Sequence, residues 1–62
     1  MAKKTLSFAD IAAGIEDSAD VRTVSAYVII AMGQYKNKDL NALAFAGVLR
    51  KASDKIYSIS NL

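Results

Sequence analysis

The sequence predicts an all-α fold, in which a short N-terminal helix precedes an antiparallel helical hairpin and the whole is completed as an oligomeric helical bundle. Three observations lead there. Ala42, Phe45, Leu49, Ala52, Ile56 and Ile59 recur at spacings of three, four, three, four and three, the a/d rhythm of a packed helical seam. Upstream, Val21, Val24, Val28, Ala31 and Tyr35 follow a similar rhythm, and the polar stretch Gly33 to Lys38 separates the two seams as a hairpin turn would. Finally, 53% of the 62 residues are hydrophobic and the mean hydropathy is +0.21. A domain this small hides only about 60% of the surface its unfolded chain exposes. Part of the apolar surface is therefore expected to lie against another subunit.

The chain reads as one domain, residues 1–62, with no proline, linker or internal repeat to divide it. Residues 1–6 carry Lys3 and Lys4 without a pattern and read as a flexible arm. A short helix is expected within 7–17. Ser7 followed by Asp10 makes a capping box, Leu6 can staple onto Ile11, and Phe8, Ile11 and Ile15 mark one face. Gly14 weakens its last turn by roughly 1 kcal/mol relative to alanine. The helix is expected to lie across the hairpin as a lid.

The second helix is expected over 18–35, capped by Ser18 or Asp20. Its run Ala26 to Met32 is apolar all round, with Tyr27, Ile30 and Met32 forming a second face, which predicts burial on every side. Residues 36–39 form the turn, where Lys36 and Lys38 suit the carbonyl end of the second helix and Asn37 or Asp39 can cap the third. The third helix is expected over 40–60. Ala42, Ala44, Ala46 and Gly47 allow a neighbouring backbone to approach closely, while Arg50, Lys51, Asp54 and Lys55 read as a solvated face. The residues predicted to join subunits are Val28, Ile29, Ile30, Met32, Leu43 and Phe45.

Chemistry is argued mainly by elimination. The chain has no histidine and no cysteine, so a serine or lysine nucleophile would need a pocket to activate it, and a thin hairpin offers little of one. No enzyme activity, cofactor or metal is predicted. Glu16, Asp17 and Asp20 could pair for metal or acid-base work, but at a joint between helices they read as caps, because a hard-metal site needs several converging oxygens. Gly33 with Lys36 and Lys38 likewise reads as a helix end rather than a phosphate loop. Apolar runs are far shorter than the roughly 20 residues that span a bilayer. Asp10 and Gly14 interrupt any signal-peptide core, so an unprocessed cytoplasmic protein is expected.

Asp10-Ile11-Ala12 followed by Thr23-Val24-Ser25 resembles the helix-turn-helix headpiece of LacI-type repressors over less than half of the chain. Counting from Ala12, the positions of that motif's turn glycine and of a packed apolar residue hold Glu16 and Arg22. Charges there would sit where the two helices must pack, so no DNA-contacting residue is carried over. Small dimeric hairpins of the Rop type are similar in length and architecture, which implies folding by pairing and nothing about RNA.

The leading expectation is a non-enzymatic, homo-oligomeric interaction protein, a regulator, inhibitor or assembly factor of the size many phages and plasmids encode, acting by protein–protein binding. One alternative is a nucleic-acid-binding regulator whose dimer assembles Lys36, Lys38, Arg50, Lys51 and Lys55 into a basic patch. Net charge is only +2, and acidic residues are interspersed among these five, which makes it the weaker reading. A second alternative is an oligomer that sequesters a small anionic ligand at its subunit seams.

Overall fold

The computed structural model describes residues 6–61. The expected arm therefore lies, except for Leu6, outside the described residues. Three helices follow one another, α1 (Phe8–Glu16), α2 (Val21–Lys36) and α3 (Ala42–Ser60), and no strand occurs among the described residues. The all-α class is as predicted.

Each helix begins on a side chain that replaces missing intrahelical partners. Ser7 Oγ accepts from the Asp10 N–H at 3.1 Å, and the Asp10 carboxylate accepts from the Ser7 N–H at 3.4 Å, closing the predicted box. At α2 the cap is Asp20, whose Oδ1 accepts from both the backbone N–H and the hydroxyl of Thr23, each at 2.8 Å. Those two donors, the backbone one first, hold the Asp20 carboxyl below its ordinary pKa. The cap of α3 is Asn41, accepting from the Ala44 N–H at 2.8 Å. Asn37 and Asp39 were the expected caps; Asn37 instead ends α2, and α3 starts two residues later than the predicted 40 because Leu40 is drawn into the core.

The turn between α2 and α3 is a Schellman closure. The Asp39 N–H reaches back to the Gln34 carbonyl at 2.7 Å and the Lys38 N–H to the Tyr35 carbonyl at 3.0 Å. This geometry requires a left-handed residue between them, and Lys38 supplies it at φ 67°. The chain then drops Leu40 inward. Gln34 is buried beside this turn, and its side-chain Oε1 has no hydrogen-bond partner among the described residues.

Ile11 and Ile15 of α1, Val24 and Ala31 of α2, and Val48 and Ala52 of α3 form the core with Leu40. Leu6, Tyr27, Val28, Ala44, Phe45, Ile56 and Ile59 pack around it. Because Ile11 and Ile15 are fully buried, α1 is an integral third of the core and not a lid over a finished hairpin. Two contacts set its direction: Phe8 lies against Gly47, and Glu16 pairs with Lys51 at 3.3 Å. Progress along α1 thus accompanies progress along α3, giving an up-down-up bundle. The ring of Tyr27 from α2 lies directly over Gly14, where any Cβ would overlap it. Ser18 is buried in the same region and donates to the Gly14 carbonyl at 2.7 Å.

Candidate functional site

The surface that α1 leaves uncovered is the candidate site. α1 occupies one side of the hairpin, over Tyr27, Gly47 and Lys51. On the opposite side α2 and α3 enclose an open groove of about 430 Å³, lined by Ser25, Val28, Ile29, Leu49, Ala52, Ser53 and Ile56. Helical spacing extends this face along both elements: Val21, Ser25, Val28, Met32 and Tyr35 recur at intervals of four and three on α2, while Phe45, Leu49, Ala52 and Ile56 do so on α3. Tyr35 and Phe45 close its turn end by stacking, with ring centroids 4.8 Å apart and planes 7° from parallel.

Two properties distinguish this face. Its large side chains stay substantially exposed, Ile29 at 66%, Met32 at 53%, Tyr35 at 44%, Leu49 at 43% and Val21 at 40%. No charged residue lines the groove. Lys51 and Lys55 lie instead with Glu16, Asp54 and Ser58 in a cleft on the α1 side, and Arg50, between Leu49 and Lys51 in sequence, takes the outer side of α3 and is exposed.

Of the predicted interface residues, the structure brings Val28, Ile29, Met32 and Phe45 onto this face. Ile30 and Leu43 are exposed at 40% and 84%, but helical position turns both to the other flank of the hairpin, toward the side that α1 occupies. Leu49 and Ile56 complete the face. Both belong to the seam read from the sequence, yet neither was among the predicted interface residues, because that seam was assigned to contact with α2. Val48, one position away, is the residue that is fully buried there.

The predicted basic residues fall into separate groups within one chain. Lys36 and Lys38 stand at the turn, where they border an open depression of about 540 Å³ with Tyr35, Leu40, Asn41 and Ala42. Lys51 is held by Glu16, Lys55 is half-buried beside Asp54, and Arg50 points outward. The acidic residues at the first joint also separate by task. Glu16 pairs with Lys51, Asp17 ends α1 and Asp20 caps α2. Among the described residues no group of three carboxylate, histidine or cysteine side chains could hold a metal ion. No described helix is long and apolar enough to cross a membrane.

No known protein family, curated protein or solved structure matches this chain. Its function has to be read from its own surfaces.

Proposed function

We propose that this is a non-enzymatic helical interaction protein, a small regulator, inhibitor or assembly factor that acts by protein–protein binding, its bundle completed by further helices laid on the open α2–α3 face. The uncharged groove with exposed Ile29, Met32 and Leu49 supports the reading most directly. Such a face gains by being removed from water, at roughly 25 cal/mol per Å² of apolar area, and its groove holds no charge to desolvate.

The nucleic-acid alternative draws on Lys36, Lys38, Arg50, Lys51 and Lys55. Glu16 and Asp54 among them lower the potential a phosphate backbone would meet. Capture of partners by the tagged protein from host lysate, with and without nuclease, separates the two readings. The expected result is a set of proteins unchanged by nuclease and by the Lys36→Gln/Lys38→Gln double variant. Submicromolar DNA or RNA binding at physiological salt, weakening with a log-log slope of roughly −0.7 to −0.9 per neutralised phosphate and abolished in the double variant, would install the nucleic-acid reading instead.

A further inference from the structure

We infer that the occupant of the open face is a second copy of this chain, related by a twofold axis, so that two hairpins close face to face. The inference rests on the open face being the binding surface and names its partner.

Three features favour a copy over an unrelated protein. The first is charge. A twofold contact opposes each residue to residues of the same surface, so a face of one sign would repel itself; this one has no charged residue in its groove.

The second is shape. Ser25, Ala52 and Ser53 keep the groove low between Ile29 on one side and Leu49 on the other. A ridge and a furrow side by side on one surface are what an isologous pairing of helices needs, since each copy supplies both.

The third is area. At about 200 Å² for a fully exposed large side chain, the exposures of Val21, Ile29, Met32, Tyr35 and Leu49 place roughly 500 Å² on each copy. With the half-buried Val28, Phe45 and Ile56 added, two copies reach the lower part of the range of about 1,200–2,000 Å² that stable interfaces bury.

Sedimentation equilibrium on the intact protein tests this at micromolar concentration. The expected mass is twice the 6.6 kDa of one chain. Leu49→Asp and Ser53→Lys should each return it to a single chain with helical circular dichroism retained, while Leu43→Asp, on the other flank, should stay paired. Ser53 is polar and exposed, so that variant does not depend on rebuilding the core. Isotope-filtered NOEs in a mixed labelled and unlabelled wild-type sample need no substitution, and should connect the methyls of Ile29, Met32 and Leu49 to the other copy but not those of Leu43.

A wild-type mass of one chain at micromolar concentration would overturn the copy as occupant. The binding-face reading would survive that result if protein capture from lysate were still lost in Leu49→Asp. A pair that persists in both face variants, or intermolecular NOEs confined to Leu43, would overturn the face itself. A mass of four chains or more would overturn the closed twofold arrangement.

Discussion

At the scale of single residues, the contact between Gly14 and Tyr27 shows how tertiary packing reverses a local preference. Alanine in place of a mid-helix glycine ordinarily stabilises by about 1 kcal/mol. At Gly14 the new Cβ would enter the Tyr27 ring, and overpacking of this kind costs about 1–3 kcal/mol. Gly14→Ala is therefore expected to destabilise the protein, by about 1 kcal/mol net in chemical denaturation. In a Tyr27→Ala background the same substitution should become stabilising. A stabilising Gly14→Ala in the wild-type chain would show that the ring does not hold its place. From sequence, Gly14 reads only as a weak point, because the partner that needs its missing side chain lies 13 positions along the chain, on another helix.

Within the elements, the turn joining α2 to α3 holds a comparable tension in its backbone. Lys38 occupies the left-handed position of the Schellman closure, a conformation that costs a non-glycine residue roughly 1–2 kcal/mol. Its side chain is exposed, so Lys38→Gly should raise stability, by about 1 kcal/mol after the extra freedom of glycine in the unfolded chain is counted. A melting temperature unchanged or lowered by Lys38→Gly would contradict this.

The helices themselves were legible in the sequence, since apolar spacing and the Ser7 and Asp20 caps depend on residues three or four apart. What was not legible was rotation. Ala42, Phe45, Leu49, Ala52, Ile56 and Ile59 form a true stripe on α3, but α1 and α2 together draw the helix round so that Val48 enters the core and Leu49 is left 43% exposed. One position on a helix is a turn of about 100°. A sequence in which the apolar stripe is wider than one partner requires cannot say which edge faces inward. The same ambiguity grouped Ile30 with Ile29, although a 100° step puts them on different sides of the hairpin. Asn41 was missed as the cap of α3 because Leu40 reads as the first residue of that helix and proves to be an anchor ahead of it.

For the whole molecule, the Cα extents are 40 × 26 × 15 Å. The shortest of these is that of two helix layers, since Cα atoms lie on a cylinder of about 2.3 Å radius and packed helices stand about 8–10 Å apart. A body so thin buries few residues on all sides, which is why Ile29 and Leu49 remain at the surface although the chain is rich in apolar residues. Pairing across the open face would convert that surface into interior, and mass action then makes stability depend on concentration. The wild-type melting temperature is expected to rise by several degrees as the protein is concentrated a hundredfold, while that of Leu49→Asp should stay constant. A wild-type melting temperature independent of concentration would indicate that the fold stands without a second chain.

The seat of Tyr27 on Gly14 also gives the protein a built-in optical probe. The chain has no tryptophan, so its near-ultraviolet emission comes from its three tyrosines, each in a different setting. Tyr57 is 74% exposed and should emit much as the free amino acid does, whereas Tyr35 is stacked on Phe45 at the turn and Tyr27 is pressed onto α1. Replacing Tyr35 and Tyr57 with phenylalanine would leave a single emitter that senses only whether α1 is docked. Keeping Tyr35 instead would report closure of the α2–α3 turn, and the difference between the two traces after rapid mixing would reveal whether α1 joins before or after the hairpin forms.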